Sequence, residues 1–160
     1  MTNHPTPPIT VPRRYPPAPL VGVGVVVFNA AGQALLVKRG RPPRVGQWSL
    51  PGGLIDVGEK LVEAARREVR EECAIEIEIG DFVAVFEPIE RDDEDRVEYH
   101  YVVLDYWARH VSGEPVAQDD AAAVTWVSIE ALASFNLRSD THGVILKAYQ
   151  AWQENVDPTG

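Results

Sequence analysis

From Glu59 to Cys73 the chain contains neither glycine nor proline, and its apolar residues recur at helical spacing. That stretch predicts an amphipathic helix, which the rest of the chain must cover. At about 100° per residue, Leu61, Ala64, Ala65 and Val69 share one side of the wheel. Glu63, Arg66, Arg67 and Arg70 take the opposite side. Glu68 and Glu72 break the division, because they lie within about 20° of Leu61, in the middle of the apolar stripe. Glu71 sits at its edge.

An acid on a buried face must be paired, protonated or bound to a cation. Carboxylates three and four residues apart also repel one another. The arginines of the same helix are expected to point away from Glu68 and Glu72. Two solutions therefore stand: a hard cation shared by the acids, or an arginine brought in from elsewhere in the fold. With oxygen donors alone, and no histidine or cysteine ligand nearby, the cation would be Mg²⁺ or Mn²⁺ and not zinc.

Around this helix the sequence is rich in strands. "LVGVGVVVF" (20–28) and "ALLVKRG" (34–40) flank the turn "NAAGQ" and predict a hairpin. The glycines of the first segment sit inside a strand with no helix after it, so they are not a dinucleotide-binding loop. "WSL" predicts a short strand before the "PGG" turn. "AIEIEIGDFVAVFEPI" and "VEYHYVVLDYWARHV" predict longer strands joined by the charged loop "ERDDEDR". "AVTWVS" gives one strand more. Ser128 is placed to cap a short helix. "THGVILKAYQAWQE" predicts a closing helix with Val144, Ile145, Ala148 and Trp152 inward. The fold expected is α/β (or α+β): a central mixed sheet covered on both faces. The expected division is a proline-rich arm over residues 1–19, one domain over 20–155 and a short tail over 156–160.

The chain carries a net charge of −9. That excludes a protein that grips a nucleic-acid backbone through a basic footprint. An acidic protein can still act on a phosphate if a cation bridges the two. The only cysteine, Cys73, cannot form an intrachain disulfide. This fits a reducing cytoplasm. No segment predicts a membrane span or a signal peptide.

The segment "GLIDVGEKLVEAARREVREECAI" (53–75) resembles the signature of the Nudix hydrolases, with Gly53, Glu59, Arg67, Glu68, Val69, Glu71, Glu72 and Ile75 in register. "GQWSLPGG" before it and "TWV" after it are similar to the family as well. The resemblance spans roughly residues 20–155. It departs at Ala74, where the family has a glycine that closes the helix; alanine there costs on the order of 1 kcal/mol.

The resemblance implies an α/β/α sandwich and metal-dependent hydrolysis of a nucleoside diphosphate linked to another group. It implies Glu68, Glu71 and Glu72 as catalytic metal ligands, the Gly53 carbonyl as a further ligand, and Glu59–Arg67 as a supporting ion pair. The general base stays open among Glu68, Glu98, Glu114, Asp119, Asp120 and the acids of "ERDDEDR". Ala123 stands where the family often has a glutamate, which weakens an assignment to that loop.

The chain looks most like the ADP-ribose pyrophosphatase branch, which implies AMP and ribose 5-phosphate as products. Arg39, Arg41 and Arg44 are candidates for phosphate or ribose oxygens. Trp48, Phe86 and Tyr99 are candidates to stack on a base. The alternatives are a nucleoside triphosphate pyrophosphohydrolase and a non-catalytic nucleotide-sugar sensor. The expected partner is a small-molecule nucleoside diphosphate derivative, and a homodimer is left open by the resemblance.

Overall fold

The structure, a computed structural model, describes residues 11–156. Residues 1–10 of the proline-rich arm and 157–160 of the tail lie outside the described residues.

β1 (Leu20–Phe28) is almost wholly buried, as its apolar, β-branched sequence requires for a central strand. It pairs in parallel with β7 (Val97–Ser112), from Leu20 opposite Tyr101 to Phe28 opposite Arg109. A hairpin links β1 to β2 (Ala34–Arg39), and β2 pairs antiparallel with β3 (Trp48–Ser49) and β8 (Ala121–Val127). β4 (Gly52–Leu54) folds back onto the start of β1. β5 (Glu76–Phe86) and β6 (Ile89–Arg91) both run antiparallel to β7. The mixed sheet expected from the sequence is present.

Alternation along the strands builds two cores. Val23, Val25, Val27, Leu35 and Val37 pack on one face with Ala64, Ala65, Val69 and Cys73 of α1 (Leu61–Cys73). Val26, Phe28, Leu36 and Trp107 pack on the other with Ile145 and Ala148 of α2 (Ser139–Val156) and with Leu132. Each fully buried aliphatic side chain of this kind contributes roughly 1.5–3 kcal/mol. The result is an α/β/α sandwich.

The helix ends are set by local chemistry. The Glu63 carboxylate accepts from the Lys60 backbone N–H at 3.2 Å at the start of α1. At its end Ala74 takes a left-handed conformation, φ 59°, and its N–H reaches the Arg70 carbonyl at 3.0 Å. The closing geometry of a glycine is kept without the glycine. The short helix after Ser128 corrects the sequence expectation. It is a 3₁₀ helix, Ile129–Phe135, and the Ser128 side chain makes no capping hydrogen bond.

The segment before β1 is tied to the β6–β7 hairpin. Arg14 Nε donates to Glu98 Oε1 at 2.7 Å, and the Tyr15 hydroxyl donates to Asp92 Oδ2 at 2.6 Å. The Tyr15 backbone N–H donates to the Glu98 carbonyl at 2.7 Å. The guanidiniums of Arg14 and Arg96 each lie 5.2 Å from the Tyr15 ring centre.

Candidate functional site

Two glycines bring the loop before α1 against the helix. A Cβ on Gly52 would collide with the Val23 carbonyl, so only glycine lets β4 lie this close to β1. A Cβ on Gly53 would stand 2.5 Å from the Glu68 carboxylate. The bare backbone is what allows that acid to approach.

Arg67 organises the helix face. Its Nε and Nη2 donate to the two oxygens of Glu59 at 2.7 and 2.8 Å. Nη2 also donates to the Leu54 carbonyl at 3.0 Å, and Nη1 donates to Glu68 at 2.8 Å and Glu71 at 3.1 Å. Five planar donors suit this bridging role, which lysine could not copy. The guanidinium holds the Glu59 carboxyl down at about 2. In return the carboxylates raise the pKa of Arg67, Glu59 foremost.

This corrects the expectation that the arginines of α1 turn away from its buried acids. Arg67 leaves the helix on the far side, but its long side chain folds back over Glu71 to Glu68. Only Glu72 keeps the predicted isolation. Its carboxylate accepts from the Gly52 N–H at 3.2 Å and meets no cationic side chain among the described residues. Burial, and then the charge of Glu68, push it up to about 8. Burial raises Glu68 as well, against the pull of Arg67.

Glu68, Glu71 and Glu72 line one cavity of about 920 Å³ with Gly53, Arg39, Arg41, Arg44 and Tyr99. The three arginines are each tethered. Arg39 Nε donates to the Pro43 carbonyl at 2.7 Å, Arg41 pairs with Asp120 at 2.9 Å, and Arg44 pairs with Glu90 at 2.7 Å. Phe86 lines the cavity too, with the Arg138 guanidinium 5.0 Å from its ring centre. Tyr99 stacks on Tyr101 at 6.4 Å.

Trp48 is not brought to the cavity. It packs edge-on against Phe135 at 5.3 Å beside the α2-side core, so its size serves packing. Asp119 and Asp120 line the cavity. Glu98 is instead engaged by Arg14, and Glu114 is exposed outside the cavity. Neither of these two lines the cavity. Of the acids of "ERDDEDR", Glu90 lines the cavity as well, and Val11, Arg13, Asp105, Arg138 and Asp140 line it unforeseen. Of these, Asp105 had a visible signal: a lone charge inside the apolar run "YVVLDYWA".

The donor chemistry fits a hard divalent cation: carboxylate oxygens lining one cavity, with one half-buried acid, Glu72, that makes no ion pair among the described residues. The acids are not drawn into a ready cluster. Among the described residues no group of three or more histidine, cysteine, aspartate or glutamate side chains is close enough to hold a metal ion as arranged. Glu68 and Glu71 share Arg67, and both would have to turn toward an ion.

A family model described as "NUDIX domain" matches residues 18–149. An ADP-ribose pyrophosphatase of Methanocaldococcus jannaschii is 29% identical over 127 residues, covering 79% of this chain and 71% of the relative. The nucleoside triphosphatase NudI of Salmonella schwarzengrund is 31% identical over 112 residues, covering 64% of this chain and 77% of that one. The NUDIX domain of Shewanella oneidensis NrtR, solved in complex with ADP ribose, superposes with a TM-score of 0.68 at 26% identity. It covers 84% of this chain and 89% of the other.

Proposed function

The chain belongs to the NUDIX family, and from that premise we propose that it hydrolyses the diphosphate of a nucleoside diphosphate linked to a second group. ADP-ribose or an ADP-sugar comes first, giving AMP and a sugar phosphate. One observation carries this reading: three glutamates, Glu68 and Glu72 of them half-buried, and three arginines line a common cavity large enough for such a molecule. Glu68, Glu71, Glu72 and the Gly53 carbonyl would hold Mg²⁺ or Mn²⁺. When bound, that ion supplies charge neutralisation at the diphosphate and acidifies water.

The side chains do the rest. Arg39, Arg41 and Arg44 exchange their present partners for phosphate and ribose oxygens, which a guanidinium grips with two parallel donors. The water oxygen bonds to one phosphorus as the bridging P–O bond breaks. The water's proton passes to a cavity carboxylate, one of Glu68, Glu90, Asp119 and Asp120. Glu59 and Arg67 hold the loop and helix in register. The NudI relative makes triphosphate cleavage the reading to exclude.

The test is a panel of nucleoside diphosphate sugars and nucleoside triphosphates, with Mg²⁺ and product identification. AMP plus sugar phosphate supports the proposal. Cleavage of triphosphates alone overturns it.

A further inference from the structure

The segment ahead of β1 is held more firmly than an exposed strap requires. Tyr15 has φ 51°, in the left-handed region that a residue with a side chain seldom takes. Its backbone N–H on the Glu98 carbonyl, its hydroxyl on Asp92 and the two guanidiniums beside its ring keep it there. Arg14, paired with Glu98, fixes the neighbouring residue. Each surface contact of this kind contributes little alone. Together they set the course of the chain.

That course leads to the cavity, where Val11 and Arg13 form part of the wall. Arg13 is exposed, and its guanidinium makes no hydrogen bond or ion pair with another described residue. The other arginines on the wall are engaged. Arg39 donates to the Pro43 carbonyl, Arg41 pairs with Asp120, Arg44 with Glu90, Arg67 with Glu59 and Arg138 with Asp140. Arg13 also lies toward the acid end of the cavity. Burial raises the pKa of Glu68 on α1 and of Tyr101 on β7, and the charge of Arg13 is among those that pull each back.

We propose that Arg13 is a substrate-binding residue that grips a phosphate of the diphosphate, and that Arg14 and Tyr15 are the positioning residues that deliver it. The inference rests on the reading that the substrate is a nucleoside diphosphate derivative. A diphosphate in this cavity has to settle near three carboxylates, and a guanidinium close by offsets their repulsion. The planar donors of arginine match two phosphate oxygens at once. Arg41 and Arg44 must each leave a carboxylate before they can turn to phosphate, whereas Arg13 leaves no partner among the described residues. The tether at Tyr15 reduces the conformational freedom that a loose arm would lose on binding.

The test measures binding of α,β-methylene-ADP, whose bridge resists cleavage, by calorimetry with Mg²⁺. The kinetics of ADP-ribose hydrolysis are followed in parallel. Arg13→Ala should weaken the analogue and raise KM for ADP-ribose by about tenfold each, with a much smaller change in kcat. Its melting temperature should hold, because an exposed side chain is removed and no described partner is stranded. Arg13→Lys, which keeps the charge without the paired donors, should fall between alanine and wild type. Tyr15→Ala should weaken binding as Arg13→Ala does, and the double variant should be no weaker than Arg13→Ala alone. Additive losses overturn the delivery role of Tyr15. Wild-type KM and analogue affinity in Arg13→Ala overturn the phosphate contact and leave the hydrolase reading standing. A wild type that cleaves no nucleoside diphosphate sugar overturns that reading, while analogue binding that still depends on Arg13 upholds the contact.

Discussion

Arg67 Nε stands 2.7 Å from Glu59 Oε2, which fastens the loop before α1 to the face that carries the acids. The pairing has a defined pH signature. Glu59 is depressed to about 2 in the fold, against an ordinary value of 4.5. Its contribution to stability is complete above about pH 4.5 and is lost as pH falls toward 2. Glu59→Gln should lower the melting temperature at pH 7. That deficit should shrink through the acid limb in parallel thermal scans. A deficit that stays constant down to pH 2 would mean the pair contributes nothing through its charge.

Glu72→Gln keeps the shape of a buried side chain and removes its charge. We expect turnover to fall by about 100-fold or more, on the scale of losing a group that stabilises transition-state charge. Mn²⁺ binding measured by calorimetry should weaken with it. The fold should hold or gain stability, because the uncompensated acid is gone. Unaltered Mn²⁺ affinity would remove Glu72 from the ligand set.

Chelation should abolish turnover of the wild type, and Mg²⁺ or Mn²⁺ should restore it. Full activity in the presence of excess chelator would contradict the role given to the glutamates.

Ala74 holds φ at 59°, a region that costs an L-residue on the order of 1 kcal/mol relative to glycine. Ala74→Gly should therefore raise stability by about that amount in urea titrations. An unchanged or lower midpoint would show that the greater freedom of glycine in the unfolded chain cancels the relief.

Asp105 predicts the opposite pH trend from Glu59. Its carboxyl rises from 3.8 to about 7 on folding. Below about pH 4 both states hold the proton and there is no penalty. Between about pH 4 and 7 the unfolded chain releases its proton first, so stability falls, and above 7 the loss is complete. Asp105→Asn should flatten this slope and stabilise the protein at pH 7.5 by on the order of 3 kcal/mol. Parallel slopes for the two proteins would disprove the assignment.

The helix over 61–73 and the long strands could be read from the sequence because their periodicity is local. The position of Glu72 on the apolar face followed from the same periodicity. The reach of Arg67 did not follow, because a wheel fixes where a side chain leaves the helix and not where a long one ends. Trp48 is a candidate both for stacking on a base and for the core, and only the long-range packing places it against Phe135 beside the α2-side core. Asp105 is passed over by the sequence reading although it is a lone charge in β7, and its place in the cavity depends on its register with β1, set far away in the chain. The hydroxyl of Ser128 likewise makes no cap bond, and the Ala131 N–H donates to the Ser128 carbonyl at 3.0 Å instead.

The anchoring of Arg14 and Tyr15 leaves Val11 and Arg13 at the rim of the cavity. Bulkier side chains substituted at either position would therefore narrow the space beside the acids, whereas Val156, where α2 ends, does not line it.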